Sequence, residues 1–373
     1  MAKIIKVLII DDSAVMRELL KSIITEDPRF EVVGVSSDPI LAKSKIPRIN
    51  PDVLTLDVEM PRMDGLTFLK ELMEIRPMPV VMVSSHTEKG ARETFRALEL
   101  GAIDFITKPK MDASGSLDPF ITDLCNKLEA AANAKIRSSV RLVNKQDAND
   151  RGSLDHLRST AGPRKVTINP SISGNQKIIV IGASTGGTKA IQEIAEALPI
   201  DSPGIAVVQH MPPRFTGMYA KRINQLSALD IREAEDGDTL APGTMLIANG
   251  AYHLAIAQNS RDDFIVNVFD GDLVNQHKPA VDILFESASH YPGADILGII
   301  LTGMGKDGAK GMLSMYRNGS YTIAQDKKSC VIYGMPDQAN KLGAVNKILS
   351  ISDIPSYIAR WATGNISSNR AAS

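Results

Sequence analysis

Hydrophobic residues in the first third of the chain fall in short unbroken runs, and these runs alternate with segments of helical spacing. The runs are Lys3–Ile10, Phe30–Ser36, Val53–Asp57, Pro79–Ser84 and Ile103–Thr107. Between the first two runs, the segment Ala14–Thr25 has its apolar residues at helical intervals. Strands that are apolar on both faces and separated by helices form a parallel sheet covered on both sides. We therefore predict a doubly wound α/β domain with a five-stranded parallel sheet over residues 1–125.

The same alternation returns in the second half of the chain. Its apolar runs are Lys177–Ile181, Ile205–Gln209, Met245–Ala248, Asp295–Leu301 and Ser320–Ala324. The segment Phe264–Asp270 instead alternates apolar and polar residues, which favours an antiparallel hairpin that turns at Asp270–Gly271. Residues 176–362 are therefore predicted to form a second doubly wound α/β domain, with a mainly parallel sheet and one antiparallel hairpin.

Polar and turn-forming residues dominate the stretch between the two domains and the end of the chain. Ser, Asn, Asp, Gly and Pro replace the apolar runs from about residue 135 to residue 175. We assign residues 126–175 to a linker and residues 363–373 to a disordered tail.

Composition narrows the function classes. A net charge of -1 gives no electrostatic reason to expect a nucleic-acid partner. The two cysteines have no partner spacing and are interpreted as reduced thiols, which suits the cytoplasm. The N-terminus lacks the features of a signal peptide, and no uncharged stretch approaches the ~20 residues of a membrane helix. We expect a cytoplasmic protein without membrane insertion.

Carboxylates follow two of the predicted strands at one edge of the first sheet. Asp11 and Asp12 come directly after the first strand, and Asp57 ends the third. Loops that follow parallel strands share one edge, so these like charges converge and favour a cation such as Mg²⁺. Ser84 and Lys108 end the next two strands and offer a phosphoryl group a hydroxyl and an ammonium. Taken singly, each acid is better explained as a helix cap or a loop acid than as a site residue, but suitable residues at successive strand ends favour a site.

This first centre resembles the receiver domain of two-component response regulators. The resemblance covers roughly residues 3–125 and rests on the segments LIIDDSAVMR, LDVEMPRMDG, VMVSS and GAIDFITKP. It implies that a histidine kinase phosphorylates Asp57. The Mg²⁺ ligands that it implies are Asp11, Asp12, Asp57 and the backbone carbonyl of Glu59. The implied switch residues are Lys108 at the phosphate, the Ser84 hydroxyl and Phe105, which has the alternative interpretation of a simple core residue.

A second set of candidate residues lies at strand ends of the second domain. Ser184 occupies the turn Gly182-Ala183-Ser184-Thr185-Gly186, His210 follows a buried strand in VVQHMPPRF, and Asp307 lies in LTGMGKDG. A serine becomes a nucleophile when a histidine takes its proton, and an aspartate fixes the histidine tautomer. Amides of the loop Thr302–Gly305 and of the helix after Ser184 are candidates to bind the oxyanion. Each residue alone also has a structural interpretation: a turn serine, a packed histidine and a helix N-cap.

The remaining histidines give weaker candidates. Four of them lack a nucleophile in a comparable context, namely His86, His156, His277 and His290. His253 is interpreted as a loop or packing residue.

The order Ser…His…Asp departs from that of α/β-hydrolases. The second domain instead resembles the catalytic domain of bacterial chemotaxis protein-glutamate methylesterases, through IGASTGG, QHMPPRFT, HKPAVDILFES, LTGMGKDGAKGM and AQDKKSCVIYGMP. The resemblance implies Ser184, His210 and Asp307 as the triad, with Thr185 and the Met304 amide near the oxyanion, and no cofactor in this domain. It implies demethylation of glutamyl methyl esters on chemotaxis receptors, with release of methanol, and adds deamidation of receptor glutamines as a second reaction.

Two other interpretations remain open at this point. The segment Gly303–Gly308 fits G-x-G-x-x-G, and Asp326 follows at a distance typical of a dinucleotide-binding fingerprint. A non-enzymatic response regulator, such as a transcription factor, is the other alternative, although no basic helix-turn-helix pattern is present. For the hydrolase, we expect the unphosphorylated receiver to cover the catalytic crevice and phosphorylation to weaken that contact.

Overall fold

The computed structural model describes residues 3–85, 87–109, 117–134, 177–291 and 295–365. The predicted tail begins at residue 363, and residues 366–373 of it lie outside the described residues, as do residues 135–175 of the predicted linker. Residues 126–133 were assigned to the linker but belong to a helix, which ends at Asn133.

The first domain is a parallel sheet with helices on both faces, as predicted. The sheet has the order β2-β1-β3-β4-β5, and all its pairs are parallel. Its strands are β1 (Ile5–Ile10), β2 (Phe30–Ser36), β3 (Val53–Asp57), β4 (Val80–Ser84) and β5 (Asp104–Thr107). Its helices are α1 (Ala14–Glu26), α2 (Pro39–Ile49), α3 (Gly65–Ile75), α4 (Glu88–Leu100) and α5 (Asp118–Asn133). Side-chain oxygens of Ser13, Asp38, Asp64 and Thr87 cap the first four helices.

The second domain has a seven-stranded parallel sheet in the order β14-β13-β12-β6-β7-β9-β8. Its strands are β6 (Ile178–Ala183), β7 (Gly204–Gln209), β8 (Asp230–Glu233), β9 (Thr244–Ile247), β12 (Ile296–Ile300), β13 (Tyr321–Gln325) and β14 (Lys347–Leu349). Its helices are α6 (Gly187–Ala197), α7 (Phe215–Asn224), α8 (Val281–Ser289), α9 (Ala309–Arg317), α10 (Met335–Lys341) and α11 (Ile354–Ala362). The mainly parallel α/β architecture agrees with the sequence analysis.

The antiparallel hairpin exists, but its predicted turn was wrong. The hairpin joins β10 (His253–Gln258) to β11 (Phe264–Phe269), so the chain reverses between residues 258 and 264 rather than at Asp270–Gly271. Asn259 organises that turn, because its side-chain oxygen accepts hydrogen bonds from the amides of Arg261 and Asp263. The edge strands β8 and β14 were missed because each is short and partly exposed.

One of the core clusters contains buried apolar residues of both domains. Phe95 and Phe105 of the first domain lie in the same core cluster as Phe215 and Tyr219 of the second. The ring of Phe105 stacks on that of Phe215, with centroids 4.6 Å apart, and Phe95 contacts Phe215 edge-on. The domains therefore share an aromatic interface, which α4 and β5 of the first domain build with α7 of the second.

Candidate functional site

Three neighbouring strands of the second sheet bring Ser184, His210 and Asp307 to one edge. Ser184 follows β6, His210 follows β7 and Asp307 lies in the loop after β12. β6 pairs with both β7 and β12, so the three loops leave the sheet side by side. The amide of His210 donates to the Ala183 carbonyl at 3.1 Å, which extends the β6–β7 ladder up to the histidine.

The imidazole of His210 is held by Asp307. Nε2 of His210 lies 2.8 Å from Oδ2 of Asp307, and both side chains are buried. When Nε2 donates to the carboxylate, Nδ1 is the ring atom left to accept a proton. Nδ1 is buried and makes no hydrogen bond, and none joins the ring to the Ser184 hydroxyl. Ser184 lines the same crevice as His210 and Asp307.

The carboxylate of Asp307 lies at the N-terminus of α8, although its own chain segment leads into α9. Its carboxylate accepts hydrogen bonds from the amides of Val281 and Asp282 at the start of α8, at 2.7 and 3.1 Å, and from Nδ2 of Asn275 at 2.8 Å. Burial alone would raise the pKa of this carboxyl, but the bond from His210 and these further donors outweigh burial and lower it. Asp307 therefore stays ionised beside the imidazole.

Glycines allow these elements to approach one another. A side chain on Gly182 would lie 2.1 Å from Cγ1 of Val281, so β6 and the start of α8 could not pack as they do. A side chain on Gly303 would lie 2.8 Å from Cβ of Ser184. The missing side chain lets the loop after β12 approach the serine, where backbone amides can meet a developing oxyanion. Met304 follows in this loop and lines the crevice.

The first domain forms part of the wall of this crevice. The crevice has a volume of about 1140 Å³ and is lined by the three candidate residues and by one face of α5. The residues that α5 contributes are Asp118, Pro119, Thr122, Asp123, Asn126 and Lys127. A helix of the first domain therefore faces the candidate nucleophile.

Direct polar contacts also join the two domains beside Ser184. Thr185 is buried, and its hydroxyl donates to Oδ2 of Asp104 at 2.5 Å. Arg222 on α7 forms an ion pair with Glu99 on α4. Asp104 begins β5, the strand that carries Phe105 and leads to Lys108. One short strand thus connects the interface to the acidic centre of the first domain.

In the acidic centre, three carboxylates converge as the sequence suggested. Asp11, Asp12 and Asp57 each place an oxygen within 4.8 Å of the others. Nζ of Lys108 donates to Oδ2 of Asp57 at 2.7 Å and lies 3.1 Å from Oδ2 of Asp11. Burial, and then the charge of Asp11, raise the pKa of Asp57 to about 6, although Lys108 opposes the rise.

The chemistry of this centre fits a hard cation. Oδ2 of Asp11 is buried and makes no hydrogen bond of good geometry, although Lys108 is close. Burial also raises the pKa of Asp11, because it disfavours the charged carboxylate. A divalent ion with oxygen ligands would supply the missing partner.

The other residues expected in the first domain lie in different settings. The Ser84 hydroxyl is buried and turns toward α4, where it donates to the Gly90 carbonyl at 3.1 Å and accepts from Thr94 at 2.8 Å. The amide of Glu59 lies 3.4 Å from Oδ1 of Asp57, so the residue borders the acidic centre. Phe105 is a core residue, as the alternative interpretation had it, and at the same time an interface residue.

Comparison with known proteins agrees with both halves of this description. The response regulator receiver domain family matches residues 7–114, and the CheB methylesterase family matches residues 179–358. A protein-glutamate methylesterase/protein-glutamine glutaminase of Geobacter metallireducens is 48% identical over 361 residues, covering 96% of each chain. One from Nitrosomonas europaea is 48% identical, covering 97% of this chain and 98% of its own. The chain belongs to this methylesterase family.

A solved structure is similar to part of this methylesterase chain. The catalytic domain of the Thermotoga maritima CheB methylesterase has a TM-score of 0.48 and 38% sequence identity, and it covers 51% of this chain and 99% of its own.

Family membership favours the methylesterase interpretation over the two alternatives. Asp326, the acid of the dinucleotide-binding pattern, instead accepts hydrogen bonds from the amide and hydroxyl of Ser329 and so closes its own turn. The segment Gly303–Gly308 belongs to the loop that carries Asp307 to His210.

No described helix combines the length and the apolar character that a membrane span requires.

Some residues beside the methylesterase site were not found from the sequence. The sequence gives no reason to predict His277 as a site residue, yet its ring stacks on that of His210. Asp104, Asn275 and Gln209 also contact the site, and Nε2 of Gln209 donates to the carbonyl of Ser184 at 2.9 Å. Three of these residues lie inside the quoted motifs, namely Asp104, Gln209 and His277, and Asn275 lies two residues before one, which is the signal that the sequence offers for them.

The other histidines are less informative. His253 is buried on β10, where Nε2 lies 2.9 Å from the Asp272 carbonyl, which fits the packing role expected of it. His290 is exposed near Glu286. His86 and His156 lie outside the described residues.

Proposed function

We propose that this chain is a protein-glutamate methylesterase that hydrolyses glutamyl methyl esters on chemotaxis receptors, and that the same site deamidates receptor glutamines. The observation that carries the proposal is the His210–Asp307 pair, which lies in one crevice with Ser184. The relatives that share nearly the whole chain carry both activities in their names.

The proposed reaction begins with attack of Ser184 Oγ on the ester carbonyl carbon. His210 takes the serine proton at Nδ1, because Nε2 is already bonded to Asp307. The ionised Asp307 stabilises the resulting imidazolium and fixes its orientation. Amides of the loop around Met304 and at the N-terminus of α6 receive the negative charge that develops on the carbonyl oxygen.

The tetrahedral intermediate then expels the methoxide, which leaves as methanol after taking the proton from His210. A water molecule attacks the acyl-enzyme, His210 again accepts a proton, and glutamate is released as Ser184 regains its hydrogen. With a glutamine substrate, the same first step releases ammonia in place of methanol. Neither of these two reactions uses a cofactor in this proposal.

The test is a serine substitution with two readouts. Ser184→Ala is expected to abolish methanol release from methyl-labelled receptor membranes and to prevent labelling by a fluorophosphonate. Phosphorylation of the receiver by a small phosphodonor should continue in this variant. Full esterase activity without Ser184 would falsify the assignment of the nucleophile.

For the receiver, we propose that a histidine kinase phosphorylates Asp57, with Mg²⁺ held by Asp11, Asp12, Asp57 and the carbonyl of Glu59. The converging carboxylates and the buried Oδ2 of Asp11, which makes no hydrogen bond of good geometry, support this ligand set. A bound Mg²⁺ would neutralise the carboxylates and the incoming phosphoryl group. Lys108 lies where it can contact that phosphoryl group, and Ser84 would have to leave the Gly90 carbonyl in order to reach it.

We further propose that the unphosphorylated receiver restrains the hydrolase. Helix α5 lines the crevice, and β5 supplies both Asp104 at Thr185 and Phe105 in the aromatic interface. After phosphorylation, Lys108 would contact the phosphoryl group. Because Lys108 directly follows this strand, that contact would disturb the interface and shift the population toward an open form. Residues 135–175 are proposed to act as the linker that keeps the two domains together when the interface opens.

The location also remains a proposal. Cys125 and Cys330 are both buried and form no disulfide, which is consistent with the predicted cytoplasmic location.

A further inference from the structure

The imidazole of His210 has a second neighbour besides Asp307. The ring of His277 stacks on it, with centroids 3.7 Å apart and planes inclined by only 15°. His277 lines the same crevice as Ser184, so the stack lies beside the proposed reaction centre. An imidazole ring that makes a single hydrogen bond can still rotate about the axis of that bond. A flat neighbouring ring in face-to-face contact restricts this rotation.

The chain segment that carries His277 also contacts Asp307. Val274 and His277 exchange two backbone hydrogen bonds, of 3.1 and 2.9 Å, which close a tight turn. The two residues inside this turn, Asn275 and Gln276, have φ angles of 51° and 70°. Asn275 donates to Asp307 at 2.8 Å from one side of the turn, while His277 meets His210 from the other. One turn therefore contacts both members of the His210–Asp307 pair.

We propose that His277 is a positioning residue, which holds the His210 ring by face-to-face stacking so that Nδ1 stays available to accept the serine proton. The proposal rests on the function proposed above, since it concerns the same proton transfer. It explains how the ring keeps its orientation although Nδ1 has no hydrogen bond of its own.

The charge state of His277 is compatible with this role. Burial, and then the neighbouring His210, lower the pKa of His277 far below its ordinary value, Lys127 of the receiver acts in the same direction, and Asp307 opposes them. His277 is therefore uncharged near neutral pH. A neutral ring can lie against an imidazolium without repelling it, whereas a cation at this position would oppose proton transfer to His210.

The test compares substitutions that fill the same space with and without a flat face. In the phosphorylated full chain, His277→Leu and His277→Ala are expected to lower kcat about three- to tenfold with little change in KM, the range expected for loss of one aromatic contact. His277→Phe, which keeps a flat ring, should restore most of the rate. The control His290→Ala removes an exposed histidine and should leave the rate unchanged.

A spectroscopic readout separates positioning from general stability. The proton that Nε2 of His210 shares with Asp307 should give a sharp downfield NMR signal in the wild type and in His277→Phe. The same signal should broaden in His277→Leu, because the ring is no longer restrained. Wild-type kcat in both His277→Leu and His277→Ala, or an equal loss in a folded His277→Phe, would overturn the proposal. Failure of the wild type itself to label with fluorophosphonate would instead refute the proposed function.

Discussion

Replacing Phe105 with alanine should activate the unphosphorylated enzyme. The Phe105 ring is 2% exposed and stacks on Phe215 of the catalytic domain. Full burial of a phenylalanine side chain stabilises a protein by about 1.5–3 kcal/mol. Part of the burial comes from contacts within the receiver, with Phe95 and Lys127, so we assign roughly half, about 0.8–1.5 kcal/mol, to the closed interface. Loss of that amount shifts the ratio of closed to open enzyme by roughly 4- to 13-fold.

The assay is the initial rate of methanol release from methyl-labelled receptor membranes without a phosphodonor. Phe105→Ala should raise this basal rate, and a phosphodonor should then add less than it does in the wild type. Phe30→Ala is the matched control, because Phe30 is 6% exposed in a core cluster made of receiver residues alone. A basal rate that does not change in Phe105→Ala would refute the reasoning. An equal rise in Phe30→Ala would show that loss of receiver stability, rather than loss of the interface, causes activation.

Three further predictions follow from the same geometry. Asp57→Asn should stabilise the metal-free receiver at pH 7 by up to about 3 kcal/mol and should not stabilise it at pH 4, because the pKa of Asp57 is about 6 in the folded protein against an ordinary 3.8, so the wild type loses stability as the pH rises from 3.8 to 6. Equal stability of variant and wild type in urea at pH 7 would contradict this. Arg222→Glu should raise basal methanol release about two- to fivefold, as expected for a partly exposed ion pair, and adding Glu99→Arg should reverse the effect. Asn275→Ala should lower kcat/KM about tenfold, since Asp307 loses a donor and faces Asp282 directly; an unchanged pH–rate profile and rate would exclude that role.

Local sequence patterns were sufficient to predict much of the fold. The bounds of β1, β3 and β4 were predicted nearly correctly, because strands that are largely buried on both faces have to be largely apolar. The hairpin turn was misplaced because Asp270–Gly271 is a common turn sequence, whereas the actual reversal depends on side-chain bonds from Asn259. The strands β8 and β14 were not predicted, because few of their own side chains are buried and they are defined by pairing with β9 and β13.

By itself, the sequence determined at which strand ends the candidate residues lie, since polar residues directly after buried parallel strands reach one sheet edge. Only the tertiary structure decided which ring nitrogen of His210 meets Asp307, that the N-terminus of α8 holds that carboxylate, and that His277 and Asp104 border the site. These contacts join segments far apart in the chain, and their existence depends on how helices and domains pack. The local spacing of residues in the sequence does not predict such packing, because the packing depends on the combined shapes of many side chains.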